Sequence, residues 1–378
     1  MDQKTNRTII GITGARGLIG THTRARLHVD PAVEVLAADR RTFQSPGVLD
    51  AFVQRCDAIV HCAGLNRGTD ADVRDVNIDL ARALVEACDR VGRAPHVLFA
   101  SSTHIMRSTA YGEAKRACAE IFATWATARG TRFTNVVLPH VFGEGGKPFH
   151  NSVVSTFARQ LAIGEEPTID RDGDLELVHA SDVAELMRRA IAEQTTGDLR
   201  PTGTPIGVVA LYAKMNAFNR SYRDGIVPDV RDPFDRDLFN VVRTERYTVQ
   251  PVNDLVLRTD PRGSLFETIK TMNGGQSFVS TTKPGITRGE HFHFKKLERF
   301  IVLRGKATIA IRHLFAGGLQ IFAVSGDKPQ FIDMPPLYPH NITNVGRDDL
   351  ITQFWTDEIF DPARPDTFAE PVGNVATA

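Results

Sequence analysis

The chain has 378 residues, of which 42% are hydrophobic and 24% are charged, and 45 Lys and Arg residues balance 45 Asp and Glu residues. At roughly 150 residues per domain, this length predicts two or three domains, and the composition excludes a disordered chain. Zero net charge argues against a nucleic-acid binder and a membrane-surface binder, because both need a basic excess on the domain that binds.

Four cysteines, Cys56, Cys62, Cys88 and Cys118, lie in the first third of the chain without a CxxC pair. This predicts thiols of a reducing compartment and not a disulfide or zinc framework. The first apolar run is interrupted by glycines and an arginine, which predicts a strand and not a signal peptide. No stretch approaches the roughly 18 apolar residues of a membrane span, so a cytoplasmic protein without membrane insertion is expected.

The first half of the chain alternates short β-branched runs with stretches of helical periodicity. Strands are predicted at Thr8–Thr13, Val33–Ala38, Ala58–His61, 97–100 and 134–138, with helices that include 73–88 and 115–128. Such alternation predicts βαβ units and a doubly wound parallel sheet, covered by helices on both faces.

Beyond residue 257 the pattern changes to short strand candidates separated by Gly and Pro turns. They fall at residues 278–282, 300–303, 307–311, 319–324 and 350–355. This texture predicts an all-β sandwich or barrel. A polar, proline-containing stretch precedes it, so we expect one domain at residues 1–245, a second at 252–368, and an irregular tail.

A glycine-rich turn follows the first predicted strand, with Gly14, Gly17 and Gly20 at intervals of three before a helix. Glycines at this spacing allow a tight turn and the close approach of a pyrophosphate to backbone N–H groups. The helix N-terminus, where Leu18 and Ile19 lie, supplies partial positive charge for that anion. The turn therefore predicts a dinucleotide site.

The choice of dinucleotide depends on the residues that follow the second predicted strand. Asp39 lies where an acid would hold the ribose 2′-hydroxyl of NAD. Arg40 and Arg41 come next, and a guanidinium there suits the 2′-phosphate of NADP. Both cofactors stay open, with the arginines favouring NADP(H).

Tyr111 and Lys115 lie four residues apart at the start of a predicted helix, so they share one face. An ammonium beside the phenol favours the phenolate, and such a tyrosine can exchange a proton with a carbonyl oxygen while a nicotinamide exchanges hydride. Ser101 and Ser102 end the preceding strand, where a hydroxyl can bind the same oxygen. An isolated pair at this spacing is also common on helix surfaces.

These residues, with His61-Cys62-Ala63-Gly64 and the run from Leu138 to Gly143, resemble the extended short-chain dehydrogenase/reductase family over roughly residues 8–245. The resemblance implies a Rossmann-type sheet, substrates that are mostly nucleotide sugars, and a structural role for Asn77. It implies catalysis by Ser102, Tyr111 and Lys115. It implies cofactor binding by Gly14, Gly17, Leu18, Ile19, Asp39, Arg40, Ala63, Gly64 and Lys115.

A second set of chemically active residues lies in the C-terminal part. His291 and His293 alternate on a strand candidate and so face the same side. Glu298 follows across a turn, and His340 lies further along the chain. Three imidazoles and one carboxylate suit Zn²⁺, or Fe, Mn, Co or Ni if the site is open. Core histidines beside an unrelated glutamate are the alternative.

The spacing of these four residues resembles the two motifs of the cupin family, which implies a C-terminal cupin β-barrel holding one divalent metal, with Zn²⁺ expected. Leu337 stands where the second motif usually has glycine, which bears on the turn before His340.

Residues 260–267 and 287–291 resemble the sugar-nucleotide 3,5-epimerase branch of cupins, in which a histidine after Arg-Gly acts as base. His291 has that place, but a metal-bound imidazole is not free to take a proton. The base is therefore left open among Glu267, Lys283 and Tyr338.

Over nearly its whole length the chain resembles a family of bifunctional enzymes of capsular polysaccharide synthesis. The resemblance implies that the cupin domain epimerises C3 of a UDP-2-acetamido-2,6-dideoxy-4-hexulose, a UDP-linked 4-keto-6-deoxy amino sugar. The reductase domain would then reduce the C4 ketone with NADPH, giving a UDP-6-deoxy-L-talosamine-type precursor of N-acetyl-L-fucosamine. Reduction removes the acidity of the C3–H bond, so it must follow epimerisation. A homodimer is expected because both domain families often pair.

Three other functions fit parts of the pattern. One is a single-activity reductase whose cupin domain only binds sugar or mediates dimerisation. Another is a redox-silent dehydratase or epimerase that retains its NAD. The third is a metal- or sugar-sensing protein with an inactive reductase domain, which the intact Tyr111 and Lys115 disfavour.

Overall fold

The computed structural model describes residues 7–373. Helices α1–α8 span Leu18–His28, Pro46–Arg55, Asp70–Arg90, Ala110–Arg129, Val153–Ile163, Ala180–Ala192, Val208–Arg223 and Pro233–Val249. Strands β1–β9 span Thr8–Thr13, Val33–Ala38, Ala58–His61, His96–Ser102, Phe133–Leu138, His140–Phe142, Asp174–His179, Gly197–Leu199 and Thr204–Gly207. Strands β10–β16 span Ile226–Val227, Asn253–Asp254, Arg258–Asp260, Gly263–Leu265, Lys270–Thr271, Gln276–Thr282 and Thr287–Phe292. Strands β17–β23 span Glu298–Arg304, Lys306–Ile311, Gln320–Ser325, Gln330–Met334, His340–Asn344, Leu350–Thr356 and Phe368–Ala369.

These elements form two compact units, which we call unit 1 and unit 2. Unit 1 contains the described residues up to Val153 together with Gly173–Val208, and unit 2 contains Val154–Asp172 and the described residues from Val209 onward. This division differs from the predicted limits of 1–245 and 252–368, which follow chain order. The reason is that α7 and α8 bind the C-terminal strands: Tyr222 donates a hydrogen bond to Asp333, and Arg243 donates one to the Met334 carbonyl.

Unit 1 is built on six parallel strands in the order β2-β1-β3-β4-β5-β8. Alternate residues of each strand enter two separate hydrophobic clusters. Leu98 packs with residues of α1 and α6, whereas Phe99 packs with residues of α2, α3 and α4. The predicted doubly wound parallel sheet is confirmed, and a smaller sheet of β6, β7 and β9 continues from its carboxyl edge.

Unit 2 contains two five-stranded antiparallel sheets, ordered β11-β20-β17-β22-β15 and β19-β18-β21-β16-β23. Both sheets contribute to one hydrophobic core, for example Phe300 and Ile332 from the first, and Ile309 and Ile342 from the second. The all-β prediction for this part is confirmed. The tail differs from the irregular extension expected, because residues 368–369 form β23 and pair with β16.

All four cysteines lie in unit 1. All four cysteines are free thiols, and burial raises the pKa of Cys56, Cys62 and Cys88 to about 12. They are therefore unreactive packing residues. Among the described residues, none of the helices has the length and apolar character needed to cross a membrane.

Candidate active and metal sites

In the glycine-rich turn, backbone segments approach each other too closely for larger side chains. Gly14 has a φ of +66°, and a Cβ there would lie 2.7 Å from the backbone nitrogen of Ala63. A Cβ at Gly20 would lie 2.2 Å from the Gly14 carbonyl oxygen, so helix α1 packs directly against the turn. Gly17 precedes α1 and provides no side-chain cap, which leaves the first N–H groups at Leu18 and Ile19 available for an anion.

A cavity of about 440 Å³ opens beside this turn, and Asp39, Arg16, Arg40 and Arg41 lie on its wall with Gly14 and Gly17. One oxygen of Asp39 accepts the Arg41 N–H at 2.8 Å, and the other lies 3.5 Å from the Arg16 guanidinium. Three arginines and one aspartate therefore line the same cavity. The wall carries an excess of positive charge suited to a phosphate.

Lys115 is the most buried member of the predicted catalytic set, with 5% of its surface exposed. Its Nζ donates a hydrogen bond to the Ala100 carbonyl at 2.8 Å and lies 4.5 Å from the centre of the Phe99 ring. The same Nζ lies 5.6 Å from the centre of the Tyr111 ring. The pairing of Tyr111 with Lys115 on one face of α4, predicted from their spacing, is present in the structure.

Ser102 and Ser101 occupy opposite sides of the end of β4. Ser102 is half-buried, and its Oγ accepts the backbone N–H of His104 at 3.2 Å, so its own hydrogen is available to a substrate oxygen. Ser101 is buried, and its Oγ has no hydrogen-bond partner among the described residues. This geometry favours Ser102 over Ser101 as the serine that faces a substrate.

The predicted cofactor and catalytic residues form a connected surface in unit 1. The Gly14 turn touches Ala63, and a Cβ at the adjacent Gly64 would lie 4.0 Å from Lys115 Nζ. Lys115 in turn lies beside Tyr111. The Gly14 turn is therefore linked to Tyr111 through Ala63, Gly64 and Lys115.

Sequence patterns did not indicate that His104 lies beside Tyr111, with His140 next to His104. The His104 ring lies 5.7 Å from the Tyr111 ring and 6.0 Å from the His140 ring, centre to centre. Burial, helped by the nearby Arg107 charge, lowers the pKa of both imidazoles, so they are neutral at pH 7. His104 is therefore a neutral side chain next to Tyr111.

Asn77 has the structural role that the resemblance implied. Its side-chain nitrogen donates to the carbonyls of Leu65 and Val73, and its oxygen accepts the Leu65 N–H. These bonds fix the segment that follows β3, directly after Gly64.

In unit 2 the four predicted metal ligands converge on one point. The Oε2 atom of Glu298 lies 2.9 Å from His293 Nε2, 3.0 Å from His340 Nε2 and 3.5 Å from His291 Nε2. All four ligand atoms lie within 4.8 Å of one another. His291 and His293 therefore face the same side of their strand, and the turn that follows brings Glu298 to them, as the spacing predicted.

Two of the imidazoles are oriented by backbone carbonyls. His293 Nδ1 lies 2.6 Å from the Asp366 carbonyl oxygen, and His340 Nδ1 lies 2.9 Å from the Tyr338 carbonyl oxygen. A carbonyl can only accept, so each Nδ1 carries the proton and each Nε2 presents its lone pair when the ring is neutral. Three imidazoles and a carboxylate that meet at one point are a donor set that fits a divalent metal.

The pKa shifts of Glu298 and His293 show how the groups of this cluster act on one another. Burial alone would raise the pKa of Glu298, but the three histidines, His293 foremost, hold it well below its usual range. Burial alone would lower the pKa of His293, but the Glu298 charge raises it. The site therefore stabilises positive charge next to an ionised carboxylate.

A β-bulge in β16 aligns His291 with His340. The register between β16 and β21 shifts after Gly289, so that His291 and not Glu290 pairs with His340. Glu290 has a φ of +61°, and its carboxylate accepts from Asn341 and from the Val372 N–H. The bulge turns His291 inward and is anchored on its outer side.

Leu337 keeps the turn that glycine usually makes in the second motif. Its φ is +65°, the left-handed region that favours glycine, and its N–H donates to the His293 carbonyl. The departure from the motif thus changes the residue and not the backbone conformation, and His340 reaches the cluster.

The three candidates for the epimerisation base lie in different surroundings. Glu267 lines a separate cavity of about 290 Å³ in unit 2 whose wall includes none of the four metal ligands. Lys283 is mostly exposed and pairs with Asp349 at 2.8 Å. Tyr338 packs against the core of the two sheets, and its carbonyl binds the ligand His340. Of the three, Tyr338 contacts the cluster through its backbone carbonyl, while its ring packs against Tyr247 and His313.

Comparisons with known proteins cover both units. A model described as the NAD dependent epimerase/dehydratase family matches residues 10–200, and one described as a polysaccharide biosynthesis C-terminal domain matches residues 258–368. The chain belongs to the NAD dependent epimerase/dehydratase family. This family member is 30% identical over 370 residues to a UDP-2-acetamido-2,6-beta-L-arabino-hexul-4-ose reductase of Pseudomonas aeruginosa, covering 97% of this chain and 99% of that protein.

Solved structures of related proteins have the same architecture as this member of the epimerase/dehydratase family. The crystal structure of the capsular polysaccharide assembling protein CapF from Staphylococcus aureus matches with a TM-score of 0.62 and 30% identity, covering 96% of this chain and 100% of that one. The resemblance to enzymes of capsular polysaccharide synthesis is therefore confirmed, with CapF as the relative. RMD from Pseudomonas aeruginosa, solved with NADPH, matches 64% of this chain and 98% of its own at 16% identity and a TM-score of 0.56, and so shares the fold.

Proposed function

We propose that this chain is a bifunctional nucleotide-sugar enzyme. A cupin-type site in unit 2 epimerises C3 of a UDP-2-acetamido-2,6-dideoxy-4-hexulose, and the site in unit 1 then reduces the C4 ketone, giving a UDP-6-deoxy-L-talosamine-type precursor of N-acetyl-L-fucosamine. The observation that carries this proposal is the presence, on one chain, of two assembled sets of groups: Ser102, Tyr111 and Lys115 beside a dinucleotide turn, and three histidines around Glu298. Full-length similarity to a hexulose reductase supports the substrate class.

The reductase site has a defined place for its cofactor. NADPH, bound at the Gly14 turn with its 2′-phosphate near Arg40 and Arg41, would supply a hydride to the ketone carbon. The single acid in that cavity, Asp39, lies 3.5 Å from the Arg16 guanidinium, and the excess of arginines on the same wall supports NADP(H) over NAD. The first turn of α1 offers free N–H groups to the pyrophosphate.

The catalytic residues divide the work at the ketone oxygen. Ser102 holds this oxygen with the hydrogen that its bond from His104 leaves free. Tyr111 donates its phenolic proton to the oxygen as negative charge develops there. Lys115, held by the Ala100 carbonyl, places a positive charge that favours the tyrosinate left behind, and solvent then returns the proton.

The epimerase site uses the acidity of the C3–H bond next to the C4 ketone. His291, His293, Glu298 and His340 would hold a divalent cation, with Zn²⁺ suited to this nitrogen and oxygen set, and a bound cation would supply a Lewis acid. Burial, with the nearby Glu245 charge, raises the pKa of Tyr338, so this phenol stays protonated at neutral pH. Tyr338 is thus a proton donor and not the base, which leaves Glu267 and Lys283 as the candidates that remove the C3 proton.

One observation favours a second candidate function. Four protein ligands fill a tetrahedral site, and closed sites of this kind are typical of structural zinc. In that case unit 2 would bind the sugar or stabilise the protein, and the chain would be a single-activity reductase.

The bifunctional enzyme and the single-activity reductase can be distinguished by deuterium exchange at C3 in a variant that no longer reduces the ketone. We expect Tyr111→Phe to lower NADPH oxidation by roughly 10²–10⁴-fold, while deuterium from D₂O still enters C3 of the 4-keto substrate. Tyr212→Phe, a half-buried tyrosine of α7 in unit 2, is the matched control and should leave both activities unchanged. Absence of C3 exchange in Tyr111→Phe and in wild type would favour the single-activity reductase.

The proposal also includes a cytoplasmic location and a homodimer. Free, buried cysteines support a reducing compartment. The homodimer rests on the pairing that is common in both domain families. Size-exclusion chromatography with light scattering should then give twice the chain mass of 41.6 kDa.

A further inference from the structure

We propose that Asp366, in the C-terminal tail, is a positioning residue of the metal centre in unit 2. It holds both His293 and the loop that joins His293 to Glu298. This inference rests on the metal site included in the proposed function. It assigns a role to a segment beyond the ligand motifs, at a residue 73 positions away from His293.

The Asp366 carboxylate binds three consecutive backbone N–H groups of that loop. Oδ1 accepts from Phe294 at 3.0 Å, and Oδ2 accepts from Lys295 and Lys296, each at 2.8 Å. Hydrogen bonds to an ionised acceptor are stronger than those between neutral groups. The carboxylate therefore fixes the backbone of the segment between the two ligands.

The backbone of Asp366 acts on the ligand itself. Its carbonyl oxygen accepts the proton of His293 Nδ1 at 2.6 Å, which sets the ring orientation and leaves Nε2 bare. Asp366 has a φ of +38°, in the left-handed region that favours glycine. Such a conformation persists only where the surroundings impose it, here by the four hydrogen bonds that Asp366 accepts.

The loop between His293 and Glu298 can adopt few other conformations once these hydrogen bonds form. Only four residues separate His293 from Glu298, so the loop sets the distance between Nε2 and Oε2. From its other side, Arg243 and Asn240 of α8 donate to the carbonyls of Lys296 and Lys295. Asp366 thus supplies the bonds to the loop N–H groups, whereas α8 supplies bonds to its carbonyls.

The tail that carries Asp366 is fastened to the strand of another ligand. In β23, Ala369 pairs with His291 of β16. Arg312 binds the Glu370 carboxylate at 2.6 Å and the carbonyls of Pro371 and Val372. Residues 365–372 therefore bridge the strand that holds His291 and the loop that follows His293.

The test compares metal binding by full-length variants. Zn²⁺ affinity is measured by competition with a chromophoric chelator, and the absorption spectrum of bound Co²⁺ reports ligand geometry. Asp366→Asn keeps an acceptor for Phe294 but places an NH₂ group against the N–H groups of Lys295 and Lys296, so we expect roughly 10–100-fold weaker Zn²⁺ binding and an altered Co²⁺ spectrum. Asp361→Asn, an exposed turn residue of the same tail, is the matched control and should match wild type.

The possible outcomes separate this inference from the proposed function. If wild type binds neither metal, the proposed metal site is wrong. If wild type binds and Asp366→Asn has the same affinity and spectrum, even with a lower melting temperature, the positioning role is wrong. Should the variant fail to fold, hydrogen exchange of residues 365–372 in wild type decides: we expect slower exchange when Zn²⁺ is added, and unchanged exchange contradicts the inference.

Discussion

At the scale of single residues, Leu337 shows how a motif position tolerates an unexpected side chain. Its left-handed backbone costs roughly 1–2 kcal/mol relative to glycine, yet its side chain is 1% exposed. Removing a buried leucine side chain costs roughly 2–5 kcal/mol. Packing therefore outweighs backbone strain, which explains how leucine can replace the usual glycine.

We predict that Leu337→Gly lowers the free energy of unfolding by roughly 1–4 kcal/mol, although it restores the residue of the motif. Urea denaturation gives the difference. Leu257→Gly, at an exposed position outside the strands, is the control and should change stability by less than about 1 kcal/mol. A Leu337→Gly protein as stable as wild type would show that strain, and not packing, dominates at this turn.

Among secondary-structure elements, the β1–α1 turn depends on glycine where backbone atoms approach each other. In Gly14→Ala, the new Cβ would meet Ala63 at 2.7 Å in a left-handed backbone, so we predict a loss of roughly 1–3 kcal/mol and much weaker NADPH binding. Thermal unfolding and calorimetric titration measure the two effects.

The control for the turn is a glycine without such neighbours. Gly47 lies in α2, and a Cβ there meets nothing within 4 Å. Gly47→Ala should therefore leave NADPH binding unchanged and stabilise the chain by up to about 1 kcal/mol. Equal losses of binding in both variants would mean that the close approach at Gly14 is not what shapes the cofactor site.

A buried carboxylate joins α1 to the end of β7 in unit 1. Glu144 Oε2 lies 3.2 Å from His179 Nε2, and the Glu144 carbonyl lies 3.0 Å from His22 Nε2. Burial alone would raise the pKa of Glu144, but His179 and His22 lower it from 4.5 to about 2. The ionised form is therefore the one that the folded state favours.

A depressed pKa stabilises the fold above the unfolded pKa, and this stabilisation disappears as the pH falls through the folded pKa. We predict that wild type exceeds Glu144→Gln in stability at pH 6, and that the difference shrinks by about 3 kcal/mol between pH 5 and pH 2. Urea midpoints of both proteins across this range provide the measurement. A difference that stays constant with pH would contradict the assignment of charge to Glu144.

The sequence predicted the elements whose signals are local. The bounds of β1, β2 and β3 agree with the structure because each is a short apolar or β-branched run bounded by polar or glycine residues. Strand β20 was not predicted, because Asp333 interrupts its apolar pattern. In the structure Asp333 is paired with the buried Arg299 at 2.7 Å, and that partner lies 34 residues away.

Across the whole molecule, the site residues also divide into those with a local sequence signal and those that depend on distant partners. Tyr111 with Lys115, and His291 with His293, were predictable because helix and strand periodicity place them together, whereas Glu298 and His340 were added by the resemblance to the cupin motifs. Asp366 was not predictable, because its partners are contacted only after the tail returns to β16. His104 was likewise invisible, because its neighbour Tyr111 meets it through a turn between β4 and α4.

The zero net charge of the chain is compatible with binding ligands that carry phosphates. A diphosphate-bearing cofactor and substrate do not require a basic chain, because the N-terminus of α1 and the arginines near Asp39 supply positive charge locally. The proposed function thus depends on two small sets of groups, one in each unit, on a chain that is neutral overall.

The central claim is that one chain both epimerises and reduces a 4-keto nucleotide sugar. The most direct test incubates the full-length, metal-loaded protein with UDP-2-acetamido-2,6-dideoxy-4-hexulose and NADPH in D₂O and examines the product by NMR. We predict one NADPH oxidised per product molecule, deuterium at C3, inverted configuration at C3 and a hydroxyl at C4. NADPH consumption without deuterium at C3 would contradict the bifunctional account, and no consumption with any 4-keto nucleotide sugar would contradict the reductase itself.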